Sequence, residues 1–152
     1  MHLEGLIHVN VNCRDYDVSR AFYEKLGFEL LLEVAPTNTT AVCRAVGFED
    51  YRLRGGLFRL KGRGAPFVID LLEWQSPRDD APPYPALNHI GLARIALATS
   101  DFDADLAELR ADGVEIIGDP AVVVWEGRPD SRFVCFKDPD GTVLELVENV
   151  TD

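Results

Sequence analysis

The chain has 152 residues, 47% of them hydrophobic, and carries 15 basic against 26 acidic residues for a formal net charge of −11. A chain of that length buries roughly 70% of its unfolded surface, so it can hold a core as one ordinary domain, 1–152, without covalent staples. So acidic a balance repels nucleic acid and anionic membrane surfaces, and no apolar run nears the roughly 20 residues that span a bilayer, which excludes both as expected partners.

The N-terminus shows no basic segment followed by an apolar one, and the expected location is cytoplasmic. Cys13, Cys43 and Cys135 are odd in number and lack a CxxC spacing, so reduced thiols are expected, not a disulfide framework or zinc knuckle.

Taken in chain order, residues 6–12 alternate, with Ile7, Val9 and Val11 on one face and Leu6, His8, Asn10 and Asn12 on the other, as a strand requires. Asp15 is a suitable N-cap for a helix carrying Val18, Ala21, Phe22 and Leu26 at helical spacing, and Gly27 stands where a helix end favours a left-handed residue. An apolar stretch, 28–34, precedes a long segment, 35–50, expected to be irregular. Residues 51–60 read as a strand. Arg52 and Arg54 share one of its faces and Arg59 takes the other, unless Gly55-Gly56 forms a bulge that scrambles the parity. A charged edge is the plainer reading of these arginines, and anion recognition the alternative. The Lys61-Gly-Arg-Gly64 turn leads into Val68-Ile-Asp-Leu-Leu-Glu73.

A Pro/Asp-rich linker, 76–88, separates a first module, 1–75, from a second, 89–152. The second repeats the first. His8 to Asp15 and Arg94 to Asp101 span equal intervals, as do His8 to Gly27 and Arg94 to Gly113. Asp101 is the second N-cap, followed by Phe102, Leu106 and Leu109 at helical spacing. Residues 114–117 are the expected next strand. Lys137-Asp-Pro-Asp-Gly141 then turns 133–136 into 142–148 as a hairpin. Val143-Leu-Glu-Leu-Val-Glu148 parallels the end of the first half. Each half thus reads as strand, helix, then three strands. Trp74 and Trp125 fall near strand ends, where an aromatic either lines a pocket or closes the core.

Four segments in this order resemble the vicinal oxygen chelate superfamily of glyoxalases, bleomycin-resistance proteins and extradiol dioxygenases. They are His8 on the first strand, Ser19-Arg-Ala-Phe-Tyr-Glu-Lys-Leu-Gly-Phe28, Ile69-Asp-Leu-Leu-Glu-Trp74, and Asp138-Pro-Asp-Gly-Thr-Val-Leu-Glu145. The resemblance implies an α+β fold of two βαβββ modules forming a cupped mixed sheet, a homodimer, and a small-molecule substrate. It places the family's metal positions on His8, Asp70, Arg94 and Glu145. Imidazole and two carboxylates suit a divalent iron, manganese, nickel or zinc ion. Arg94 departs from the pattern, because a guanidinium stays protonated and has no lone pair to give.

Two readings follow. In one, His8, Asp70 and Glu145 hold a metal, Arg94 grips an anionic substrate, and Glu145 or Asp70 serves as base in a lyase or isomerase, or the set holds iron in a dioxygenase. In the other, Arg94 pairs with Asp70 or Glu145 and the cup binds an organic molecule or drug without metal. His89 and Trp74 are further candidates for the substrate site, His89 more often being a surface residue in such a loop. Glu73 and Glu148 fall on the opposite strand face and are left out of it.

Overall fold

A computed structural model describes residue 2 and residues 5–62 and 67–150. The chain divides into two compact units, Met1–Ala81 and Pro82–Asp152, with the break inside the segment expected as a linker. Unit 1 runs β1 (Val9–Asn12), α1 (Tyr16–Lys25), β2 (Phe28–Glu33), α2 (Thr40–Ala45), β3 (Arg52–Leu60) and β4 (Val68–Ser76). Unit 2 runs β5 (Ile95–Ala98), α3 (Phe102–Ala111), β6 (Ala121–Val123), β7 (Asp130–Lys137) and β8 (Val143–Val150). The sheets are ordered β1-β4-β3-β2 and β5-β8-β7-β6. In each, the first strand is parallel to the last and the other pairs are antiparallel. The fold is α+β, two βαβββ units, as expected.

The repeat extends to register. In unit 1, Asn10 pairs with Asp70, which pairs with Leu57; in unit 2, Ala96 pairs with Glu145, which pairs with Cys135. It also governs how each helix is anchored. A ten-residue helix is marginal alone, so its first turn needs outside support. Asp15 accepts from the backbone N–H of Asp17 and Val18, and Asp101 from that of Ala104. Glu73 accepts from the Tyr16 N–H at 3.0 Å, and Glu148 from the Phe102 N–H at 3.3 Å. Arg54 lies 5.2 Å over the Tyr16 ring and bonds Asp17, while Arg132 lies 4.3 Å over the Phe102 ring and pairs with Asp103. Glu73 and Glu148 therefore serve the helix face of their sheets. Gly27 and Gly113, at φ of 92° and 74°, end the helices in the left-handed conformation that only glycine adopts freely.

The helix faces hold the core. Tyr23, Phe58, Ile69 and Leu71 are fully buried in unit 1, as are Phe102, Phe136 and Leu144 in unit 2. Each such side chain contributes about 1.5–3 kcal/mol by leaving water. The three cysteines are free and buried.

Four local expectations are corrected. The first strand begins at Val9, leaving Leu6 and Ile7 exposed. Segment 35–50 is not wholly irregular: Thr39 caps α2, whose Cys43 is buried. Gly55-Gly56 is no bulge, since β3 keeps unbroken register with β4 from Leu53 to Arg59; the shifts lie at Leu30/Leu32 and Arg52/Leu53. Arg59 accordingly faces away from Arg54 and pairs with Glu29. The glycines are there for close approach, because a Cβ on Gly55 would sit 2.4 Å from the Leu71 carbonyl oxygen. Finally, 114–117 forms a single bridge, Ile116 to Phe136, and the paired strand is Ala121–Val123. Pro120, which has no N–H to give a ladder, separates the two pieces. The turn at 61–64 lies partly outside the described residues.

Candidate functional site

The face of each sheet turned away from its helix carries the sequence-predicted residues, divided between the units. In unit 1, alternation and register put His8, Asn10, Asn12, Asp70, Leu72 and Trp74 on that face. His8 precedes β1 by one residue and is exposed. Asp70 is half-buried, and its Oδ1 is buried with no hydrogen-bond partner among the described residues. Burial pushes its carboxyl above the usual range, while the His8 charge and the Asn10 amide draw it back. Asn10 Nδ2 also donates to the Asp70 carbonyl at 3.1 Å.

Trp74 Nε1 donates to Asn12 Oδ1 at 2.9 Å. Its ring meets Phe48 at 5.1 Å and Tyr51 at 5.5 Å between centroids. The segment around α2 thus delivers Phe48 onto this face. Trp74 packs in an aromatic cluster, whereas Trp125 is 47% exposed beyond β6 and donates to Ser131 Oγ at 2.7 Å.

In unit 2, Arg94 Nε stands 2.5 Å from Glu145 Oε2. Glu145 is 8% exposed; the Arg94 side chain is about half exposed. The Cys135 thiol donates to the same Glu145 oxygen at 3.7 Å. Burial, with the Glu145 charge second, pushes that thiol up, against a smaller opposing effect of Arg94. A buried carboxylate is costly without a partner, and here the guanidinium supplies one. Ala96, Ala98, Val147 and Asn149 share the face. A cleft of about 540 Å³ at the end of β5 and β8 is lined by residues 96–100 and 147–149, Leu97 and Glu148 of the helix face among them.

His89 is exposed, stacks on Tyr84 at 4.2 Å and 11°, and holds Nδ1 2.9 Å from the Ile90 carbonyl oxygen. Sequence reading passed over three residues of consequence. Cys135 was findable, since hairpin register around the Asp-Pro-Asp-Gly turn sets it beside Glu145. Asn12 follows from the alternation that placed His8. Phe48 carried no signal, because its position depends on how α2 packs.

Within either unit, no three His, Cys, Asp or Glu side chains among the described residues group closely enough to hold a metal ion. The chemistry of the donors bears on the same point. Arg94 cannot ligate, and it engages the one carboxylate that unit 2 contributes to the family's set. These residues do not fit a four-ligand divalent centre. His8 and Asp70 remain as two donors in unit 1.

No helix among the described residues is long and apolar enough to cross a membrane. The family model described as Glyoxalase/Bleomycin resistance protein/Dioxygenase superfamily matches residues 5–146. The uncharacterized protein YwkD of Bacillus subtilis (strain 168) is 30% identical, with 97% of this chain and 99% of that protein covered. A glyoxalase family protein from Bacillus cereus superposes with a TM-score of 0.83 at 19% identity, covering 99% of this chain and 97% of that one. The fosfomycin resistance protein FosX of Listeria monocytogenes, solved with Mn(II) and sulfate, gives a TM-score of 0.63 at 17% identity over 98% of this chain and 95% of its own.

Proposed function

We propose that this chain, which belongs to the Glyoxalase/Bleomycin resistance protein/Dioxygenase superfamily, binds a small organic anion on the open face of unit 2 through Arg94, without a four-ligand divalent centre. The observation that carries this reading is the Arg94–Glu145 pair at 2.5 Å, with Glu145 buried and Arg94 half exposed. Glu145 fixes the guanidinium through Nε. Five N–H donors in a planar fork are more than one carboxylate uses, so the group can hold a second anion in a set direction. β1 and β5, each bonded to one neighbouring strand within its unit among the described residues, support a homodimer completed at those edges as the assembly.

The test is a calorimetric titration of benzoate against wild type, Arg94→Lys and Arg94→Gln. Saturable binding, weakened in Arg94→Lys and lost in Arg94→Gln, supports the reading. Binding that ignores both substitutions, or none at all, refutes it.

A second reading is favoured by the buried Oδ1 of Asp70, which has no hydrogen-bond partner among the described residues, with the His8 charge nearby. In it His8, Asp70 and Glu145 are metal ligands, and FosX with Mn(II) is the relative that lends support. A divalent metal would supply Lewis-acid polarisation for a lyase, isomerase or dioxygenase reaction. Arg94 would then have to give up Glu145, a cost the first reading avoids.

A further inference from the structure

The duplication is in register, so each position on one open face has a counterpart on the other. Trp74 stands four residues beyond Asp70 on β4, and Asn149 four beyond Glu145 on β8. Asn12 pairs with Leu72, and its counterpart Ala98 pairs with Val147. In unit 1 this pair of positions is filled: the Trp74 indole bonds Asn12 and packs on Phe48 and Tyr51. In unit 2 the same positions hold an alanine and an asparagine, and both line the cleft of about 540 Å³, together with Leu97, Thr99 and Glu148. That volume falls within the roughly 300–1,000 Å³ of small-molecule sites.

We propose that the unit 2 cleft is a seat for the flat aromatic body of the anion, placed where unit 1 carries its own indole, with the charged end directed to Arg94. The inference rests on the Arg94 reading and adds the substrate class. Ala96 and Ala98 form a smooth apolar strip on β5, and Arg94 begins the same row. Thr99, Ser100, Glu148 and Asn149 supply the polar groups of the lining, and the Glu148 carboxylate, which accepts from the Phe102 N–H, repels the charged end of the ligand and leaves Arg94 as its partner. A planar ring carrying a carboxylate or phosphonate satisfies the apolar strip and the cation together. A bare anion meets the cation alone.

The experiment is a titration followed by amide NMR, with phenylphosphonate and methylphosphonate as probes. Phenylphosphonate should shift the amides of residues 96–100 and 147–149, and should bind wild type about tenfold or more tightly than methylphosphonate, the ratio expected from burying one ring. Rebuilding the unit 1 plug with Ala98→Asn/Asn149→Trp should erase that ratio while leaving methylphosphonate binding intact. Should the double variant fail to fold, Ala98→Val narrows the cleft and should lower the ratio in part. Equal affinity for the two probes in wild type, with Arg94→Gln abolishing both, would overturn the ring seat and leave the Arg94 reading standing. If neither probe binds wild type, both proposals fall together.

Discussion

Arg94 and Glu145, two of the four positions on which the family resemblance places metal ligands, meet at 2.5 Å as an ion pair. The pair is asymmetric, with Glu145 buried and Arg94 about half covered. Removing the cation strands a buried carboxylate. Arg94→Gln should therefore cost roughly 1–3 kcal/mol, less than the roughly 3–5 kcal/mol of breaking a fully buried pair because Arg94 is partly solvated. That corresponds to a fall of a few degrees in Tm. Arg94→Gln/Glu145→Gln should recover part of the loss. Thermal melts of Arg94→Gln, Glu145→Gln and the double variant give the coupling, and additive losses would show that the contact contributes nothing to stability.

Gly55 is required by what lies across the sheet. An added Cβ meets the Leu71 backbone oxygen at 2.4 Å and Leu72 Cδ2 at 2.5 Å. Backbone cannot swing aside as a side chain can. Gly55→Ala should destabilise by roughly 1–3 kcal/mol, with the β3–β4 pairing disturbed. By contrast, Gly62 has nothing among the described residues within 4 Å of such a Cβ, so Gly62→Ala should be close to neutral. Urea unfolding of the two variants makes the comparison; equal midpoints would remove the close-approach explanation.

The helix anchors predict a pH dependence. Hydrogen bonding to Arg54 holds the Asp17 carboxyl below its ordinary value of 3.8, and Arg132 does the same for Asp103. A depressed folded-state pKa means the unfolded chain binds protons more readily. The pairs stabilise the fold above the unfolded value and lose that contribution as pH falls through the lower folded value. Arg54→Gln/Arg132→Gln should lower Tm slightly at pH 7, and the gap to wild type should close below pH 3.8. The effect is small because both carboxylates are exposed and screened. A gap that persists in acid would assign the arginines' role to their stacking on Tyr16 and Phe102.

Much of the fold was legible because its signals are local. The alternation through Val9 and Val11, the Asp15 and Asp101 caps and the terminal Gly27 and Gly113 each depend on a few neighbours, and their equal spacing exposed the repeat. What was hidden depended on tertiary context. A six-residue helix such as α2 has little intrinsic stability, so its formation follows from burying Cys43. The 114–117 segment looks like a strand, but Pro120 limits the ladder and moves pairing to Ala121–Val123. Of the site, His8, Asp70, Arg94 and Glu145 could be placed on their faces from parity alone. The partner chosen by Arg94 could not, since sequence left Asp70 and Glu145 open. The contrast between Trp74 and Asn149 was latent in the repeat, and it acquires meaning only with the cleft beside it.

Trp74 offers a probe of unit 1. Phe48→Ala should open the indole to solvent and shift its emission to the red, because a ring at 5.1 Å is removed from its face. A Trp125→Phe background isolates the signal. Unchanged emission would mean that Tyr51 and Asn12 suffice to hold the indole.

Metal uptake tests most directly whether Arg94 has displaced a metal centre. Untagged wild type and Arg94→His would be dialysed against iron(II), manganese, nickel and zinc in turn, and their metal content measured by mass spectrometry. Wild type should emerge without stoichiometric metal and Arg94→His with it, the imidazole freeing Glu145 and adding a donor. Stoichiometric metal in wild type, lost in His8→Ala, would contradict that displacement.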